Sequence, residues 1–389
     1  CSNRHTIITI SRALLALVFC VLVSTHALAQ GCTPVSGTTV TITTSCSELD
    51  IGGDGSNVTI NSGVTIDGDG TATAVNTGGS TNATITNNGT ISVTTNRSFR
   101  TAAGQVDELI NNGIITAEGR EGLRNAGTIN ILTNTGEISA DGNQGINNRN
   151  AGIISTITNS GTITAGDSQG LRNDGTIGII TNSGTISADN DFGISNTGTI
   201  TTLTNRGSSP LTGLIFASGN NIGIFNSGTI TTLNNLQGAS SSALTYDGTL
   251  PTNYNIIVNS TSDFGKIVFS NVSGALNFGI DSSSTLADVD TTYSSVLSGL
   301  SSGDIASGTS GTFGSGALKK EWVLNNISGT LWDLAVTVTA SDDTNTSVTS
   351  SVKPNVILGI NNLTSVTEVN FANMNTYDCD LFDKNNICL

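Results

Sequence analysis

The sequence predicts an all-β protein, a parallel β-helix (β-solenoid) with coils of about 23 residues and a C-terminal β cap. The main observation is the motif Asn-x-Gly-x-Ile, which recurs at 125–129, 159–163 and 182–186. Steps of mostly 14 and 9 residues alternate between its glycines, so two motifs make one unit. Short Thr/Ile segments separated by Asn-x-Gly turns are typical of solenoid coils. The glycines that set this spacing are Gly113, Gly127, Gly136, Gly152, Gly161, Gly175, Gly184, Gly198 and Gly207.

The composition supports the same fold. Glycine accounts for 46 of 389 residues, charged residues for 11% and aromatic residues for 4%, yet hydrophobic residues reach 36%. A disordered chain of this polarity would lack regularly spaced isoleucines. A globular enzyme of this length normally has more aromatic bulk. The balance therefore indicates a thin aliphatic core that runs along a rod.

Two motifs per unit predict two stacked columns of side chains. Isoleucines point inward because side chains alternate across a strand, and coils about 4.8 Å apart let asparagine amides pair between coils. We expect the glycines to supply a positive φ at each corner. One step of 16 residues predicts a two-residue insertion at 148–150. One column is expected to contain Asn125, Asn150, Asn173 and Asn196, followed four residues later by Ile129, Ile154, Ile177 and Ile200.

Residues 1–29 have the features of a secretory signal peptide. Arg4 and Arg12 form a basic region, 13–23 is apolar, and Ala29 precedes Gln30 at an A-x-A cleavage site. A transmembrane anchor is the alternative, but 11 apolar residues are too few for a bilayer that needs about 20. We therefore expect cleavage between Ala29 and Gln30 and export of the remaining chain.

Removal of this segment changes the chemistry that remains. Both histidines, His5 and His26, lie within it, so serine–histidine catalysis and histidine-ligated metal sites are excluded. The segment contains two of the 14 basic residues and none of the 29 acidic residues, which leaves a net charge of −17. Such a charge disfavours nucleic acid and anionic lipid as partners.

Four cysteines follow the signal segment as two local pairs. Cys32 is close to Cys46, and Cys379 is close to Cys388. In an oxidising compartment we expect two disulfides, each closing a short loop. Free thiols are the alternative for either pair.

The regular repeats extend over 30–245, and less regular coils follow over 246–339. The second segment ends in a hairpin with an aromatic stripe, which contains Trp322 and Trp332 and is expected to cap the stack. Residues 340–389 are a polar linker followed by helical spacing from Val356 to Val369.

These features together resemble a known family. The signal peptide, the Asn-Gly-Thr-Ile solenoid, the tryptophan-bearing cap and a short helix ending in Tyr-Asp-Cys-x-x-Phe at 377–382 are similar to the passenger and linker of a bacterial autotransporter, the type V secretion family. The resemblance implies display on the outer membrane or cell surface, and the outer-membrane translocation machinery as a partner. In that family a translocating β-barrel follows, so we expect the chain from Cys1 to Leu389 to be a fragment truncated before its barrel.

The expected function is that of a structural or adhesive passenger without catalysis, and we expect no catalytic residue, cofactor or metal. A carbohydrate-active β-helix enzyme, a polysaccharide lyase or hydrolase, is the alternative. Its best acid or calcium-binding candidates are Asp54, Asp67 and Asp69, in Asp-Gly sequences. Such sequences are more often solvent-exposed turns.

One basic column could contact a ligand. Arg124, Arg149 and Arg172 each precede an asparagine of the predicted column and are expected to stack in successive coils. The column could hold an acidic glycan from a cell surface or the environment. The alternative is a solvated ladder offset by neighbouring acids such as Glu121 and Asp174.

Overall fold

The computed structural model describes residues 31–68, 72–206, 213–219, 222–314 and 318–340. These residues form a β-solenoid of about nine turns with about 24 residues per turn, which confirms the predicted fold class and repeat length. The predicted helical segment from Val356 to Val369 lies outside the described residues.

The described residues contain 34 β-strands and one 3-10 turn at Ser302–Asp304. The strands are β1 (Val35–Ser36), β2 (Thr39–Ile42), β3 (Leu49–Asp54), β4 (Asn57–Ile60), β5 (Thr65–Gly68), β6 (Val75–Thr81), β7 (Ala83–Asn87), β8 (Thr90–Val93), β9 (Phe99–Thr101), β10 (Gln105–Asn111), β11 (Ile114–Ala117), β12 (Leu123–Asn125), β13 (Thr128–Asn134), β14 (Glu137–Ala140), β15 (Ile146–Asn148), β16 (Ile153–Asn159), β17 (Thr162–Ala165), β18 (Leu171–Asn173), β19 (Thr176–Asn182), β20 (Thr185–Ala188), β21 (Ile194–Asn196), β22 (Thr199–Asn205), β23 (Leu214–Ala217), β24 (Ile224–Asn226), β25 (Thr229–Asn235), β26 (Leu244–Thr249), β27 (Asn253–Ile256), β28 (Ile267–Ser273), β29 (Leu276–Ile280), β30 (Thr291–Ser298), β31 (Ile305–Ser307), β32 (Ser310–Phe313), β33 (Leu318–Ser328) and β34 (Leu331–Ala340).

Three sheets enclose the core. The first face has 15 strands in the order β1-β3-β6-β9-β12-β15-β18-β21-β24-β26-β28-β30-β34-β33-β32. The second face has 12 strands in the order β2-β4-β7-β10-β13-β16-β19-β22-β25-β27-β29-β31. The third face has seven strands in the order β23-β20-β17-β14-β11-β8-β5. Each coil therefore contributes one strand to each face along the regular part of the rod.

One coil shows how the motif makes this shape. Its strands are β12 on the first face, β13 on the second and β14 on the third. The two Asn-x-Gly motifs form the corners that flank β13, and the loop 141–145 forms the remaining corner. The sequence predicts two columns and no separate first face, because a three-residue strand is too short to show an alternating pattern.

The predicted isoleucine column is confirmed. Its members face one another in parallel register on the second face and are fully buried. Stacking identical branched side chains at each level fills the interior without a change of shape between coils. The column consists of Ile129, Ile154, Ile177 and Ile200, and it continues to Ile230.

The predicted asparagine column is correct at three positions and wrong at Asn150. The side chain of Asn125 donates to Asn148 (2.8 Å), Asn148 donates to Asn173 (2.7 Å), and Asn173 donates to Asn196 (2.7 Å). Asn150 is exposed in the corner. The two extra residues follow the ladder asparagine instead of preceding it, so the strand keeps its register and the corner widens.

We expect Asn148→Ala to destabilise the rod by about 2 kcal/mol and Asn150→Ala to change its stability by less than about 0.5 kcal/mol. The amide of Asn148 also donates to the carbonyls of Gly152 and Thr176, both at 3.2 Å, so its loss leaves buried polar groups without partners. Urea titrations of the two variants measure the difference. A larger loss for Asn150→Ala would restore the register predicted from the sequence.

The corner glycines are needed for a different reason from the predicted positive φ. None of the eight described glycines of the repeat has a left-handed φ, and Gly207 lies outside the described residues. A Cβ at Gly161 would lie 2.0 Å from the carbonyl oxygen of Gly136, and a Cβ at Gly184 would lie 2.0 Å from that of Gly161. Glycine is therefore required because successive corners stack closer than a side chain allows.

A disulfide lies near the N-terminal end of the described coils, and a hairpin covers the C-terminal end. Near the N-terminus Cys32 and Cys46 form the predicted disulfide. At the other end β34 pairs antiparallel with β30 and β33, as the predicted cap requires. The indole nitrogen of Trp332 donates to the carbonyl of Leu300 at 2.8 Å, and Trp322 packs edge-on against Phe278. The hairpin therefore covers apolar side chains that a coil end would otherwise expose.

Candidate functional site

Several predicted site residues lie outside the part of the chain that the structure describes. These are Ala29 and Gln30 at the expected cleavage site, Asp69, and the cysteine pair Cys379 and Cys388. Their roles stay predictions from the sequence.

The two described acidic candidates do not converge. Asp54 ends β3 on the first face, where its carboxylate accepts hydrogen bonds from Thr81 (3.1 Å) and Asn82 (2.9 Å). Asp67 lies in β5 on the third face and is exposed. No group of three or more His, Cys, Asp or Glu residues within the described ranges could hold a metal ion. Asp54 and Asp67 therefore lie on different faces of the rod.

A column of outward side chains on the first face differs from the predicted one. Arg124 lies between Arg100 and Asn147, and Asn147 is followed by Arg172. Arg149 is not a member, because the strand register places it after the ladder asparagine in the exposed corner. We call this row the arginine column. It contains Asn76, Arg100, Arg124, Asn147, Arg172, Ser195 and Phe225.

A buried acid lies beside the arginine column. Glu121 is 4% exposed, and its carboxylate is 2.8 Å from Nε of Arg97. This contact is an ion pair whose geometry does not align for a hydrogen bond. Asn147 donates to the same carboxylate at 3.2 Å. The pKa of Arg97 is lowered by burial and, to a lesser extent, by nearby arginines, although Glu121 opposes the shift.

Two arginines of the column have no acid of their own. The side chains of Arg100 and Arg124 make no ion pair with a described residue, and their Nε atoms are buried without a hydrogen bond. Burial lowers the pKa of Arg124, and the charges of Arg97 and Arg149 lower it further. Arg172, in contrast, is neutralised by Asp174 at 2.9 Å. Arg100 and Arg124 are therefore the two arginines of the column without a paired acid.

An aromatic pair lies further along the same face. Phe192 and Phe225 stack with ring centroids 4.8 Å apart and an interplanar angle of 15°, and both are partly exposed. Phe225 is the member of the arginine column that follows Ser195. The row thus presents partly exposed arginines and a partly exposed aromatic ring, while Asn147 and Ser195 between them are buried.

The sequence contained a signal for the missed residue Arg100. Phe99-Arg100-Thr101 aligns with Leu123-Arg124-Asn125 one coil later, but threonine replaces the asparagine that marks the repeat. A search based on the asparagines alone therefore omits this coil. The neighbours Arg97 and Glu121 lie in loops, where the repeat has no fixed pattern, and only the fold brings them together.

The described residues contain no helix that is both long and apolar enough to cross a membrane. Comparison of the chain with protein families, with curated proteins and with solved structures gives no match. The proposed function therefore rests on the geometry of the rod.

Proposed function

We propose that this chain is a surface-displayed or secreted structural and adhesive passenger of an autotransporter, and that it is not catalytic. The observation that carries the proposal is the stacking of nearly identical coils, whose outward side chains recur about every 4.8 Å along the rod. A repeated surface makes many weak contacts, and their avidity multiplies when the rod is held on a surface.

The packing of the interior supports this role. Aliphatic columns and asparagine ladders fill the space between the three faces, so the groups available for recognition lie on the outer surface. Hydrolysis of a glycosidic bond typically needs two acids on opposite sides of the bond. The scattered positions of Asp54 and Asp67 favour a stalk over the carbohydrate-active enzyme.

The Cys32–Cys46 disulfide supports an extracellular location. Such bonds persist in oxidising compartments and are rare in the cytosol. An exported passenger needs the outer-membrane translocation machinery, which we propose as its partner during secretion. A covalent link near the N-terminal end would help a rod that has to remain folded outside the cell.

Two measurements on the same protein test the proposal. Purified residues 30–389 are expected to show no lyase or hydrolase turnover on acidic and neutral polysaccharides, with or without Ca²⁺. The same chain displayed on a bacterial surface is expected to increase attachment or cell-to-cell aggregation relative to cells without it. Turnover that disappears in an Asp67→Asn, Asp69→Asn variant would refute the non-catalytic role. Unchanged attachment would refute the adhesive one.

A further inference from the structure

We infer that the arginine column binds an acidic polysaccharide laid along the rod, with its carboxylate or sulfate groups on Arg100 and Arg124 and a sugar ring on the Phe192–Phe225 pair. This inference names the partner of the proposed adhesive surface and so rests on that function.

The charge distribution favours an anionic ligand at the arginine column. The chain has a net charge of −15, yet six of its 14 basic residues lie between Arg97 and Arg172. Within the described residues only Glu121 and Asp174 form ion pairs with this group, at Arg97 and Arg172. Seven acids lie in the same stretch, but the first-face strands β9, β12, β15 and β18 contain three arginines and no acid. Positive charge on this face of an acidic protein attracts polyanions here and repels them elsewhere.

The stacking of like charges also favours an anionic ligand. Arg100 and Arg124 are directly paired in adjacent coils, about 4.8 Å apart, with no acid between them. Like charges placed opposite each other on a sheet destabilise it. An anionic group above the two side chains would supply the missing opposite charge, and planar guanidinium groups suit carboxylate and sulfate oxygens.

The flank of the column is held in place by hydrogen bonds. Asn147 donates to Glu121 (3.2 Å) and to Gln144 (3.1 Å), and Gln144 donates to Gln169 (3.0 Å). Gln169 in turn donates to Asp191. This chain of amides crosses several coils and limits side-chain motion beside the column. A ligand therefore meets a largely preformed surface, which lowers the entropy cost of binding.

The aromatic pair favours a polysaccharide over other polyanions. Phe225 is four coils beyond Arg124, which corresponds to about 19 Å along the axis. A polysaccharide several sugars long spans this distance and has apolar ring faces that pack on exposed aromatic rings. An acidic peptide has the charge without those faces. Nucleic acid is disfavoured because a duplex would also approach the acidic remainder of the rod.

The test measures binding of immobilised residues 30–389 to polygalacturonate, dextran sulfate, neutral dextran and poly-L-glutamate. We expect binding to one or both acidic polysaccharides that weakens with added salt, and none to neutral dextran. The double variant Arg100→Gln, Arg124→Gln should bind the acidic polysaccharide at least about tenfold more weakly than the original protein. Phe225→Ala should weaken binding of the polysaccharide about threefold or more and leave poly-L-glutamate unaffected.

The matched control is Arg206→Gln, Lys319→Gln, which removes the same charge far from the column and is expected to bind like the original protein. Circular dichroism and size-exclusion chromatography check that each variant is folded. The inference would be overturned if the original protein bound no acidic polysaccharide, or if the column and control variants bound it equally. It would also be overturned if poly-L-glutamate bound as tightly as the acidic polysaccharide. Preferential binding of polygalacturonate or of dextran sulfate identifies carboxylate or sulfate as the anion. If displayed cells attach although the chain binds no acidic polysaccharide, the inferred binding site is wrong and the proposed adhesive function still holds.

Discussion

Ile177→Asn is expected to lower the stability of the rod by about 3 kcal/mol or more, whereas Thr176→Asn, one residue earlier, should cost less than about 1 kcal/mol. Ile177 is fully buried between Ile154 and Ile200, so the change removes packed aliphatic volume and places an amide where no partner is available. Thr176 points outward and is exposed, so an asparagine there remains in water.

Urea titrations followed by circular dichroism compare the two variants with the unchanged protein. Because repeat arrays can unfold in parts, the comparison uses the transition midpoint and its slope. Equal losses for the two variants would contradict the inward position of Ile177 and with it the core register of the second face.

Gly184→Ala is expected to destabilise the rod by about 3 kcal/mol. The added Cβ would lie 2.0 Å from the carbonyl oxygen of Gly161 and 2.6 Å from the carbonyl carbon of Ser160, both of which are backbone atoms. Neither can rotate away, so adjacent coils must separate at this corner. Separation strains the nearby hydrogen bond from Thr185 N to Gly161 O, which is 2.9 Å long.

Gly52→Ala is the matched control. Gly52 lies in β3, has no left-handed φ, and has nothing within 4 Å of an added Cβ. Its replacement should change the stability by less than about 0.5 kcal/mol. Comparison of the two unfolding midpoints separates the effect of the close contact between corners from the general effect of replacing a glycine. If Gly184→Ala were as stable as Gly52→Ala, the corners would have to be more widely spaced than the structure shows.

The interior of the rod was largely predictable because its residues obey one period. Ile129, Ile154, Ile177 and Ile200 were found from spacing alone, and all four stack as expected. The Cys32–Cys46 disulfide was predictable from proximity in the sequence. Both depend on relations between residues that are near in the chain, or that recur at a fixed distance along it.

The error at Asn150 has a local cause. Asn148 and Asn150 are the same residue type two positions apart, and counting back four residues from Ile154 selects the wrong one. In a strand a shift of two keeps the side chain on the same face, so alternation cannot separate the two candidates. The hydrogen bonds from Asn125 and to Asn173 decide in favour of Asn148.

The sequence by itself determined the coil length, the aliphatic core, the closing disulfide and the absence of histidine beyond residue 29, because these depend on residue type and period. The tertiary structure alone decided that three faces enclose the core, that corner glycines are needed for close approach, and that Arg100 stacks on Arg124 beside the Arg97–Glu121 pair. These properties depend on the distance between residues of adjacent coils. That distance is set by the parallel register of the strands, which small insertions at the corners shift without leaving a clear pattern in the chain.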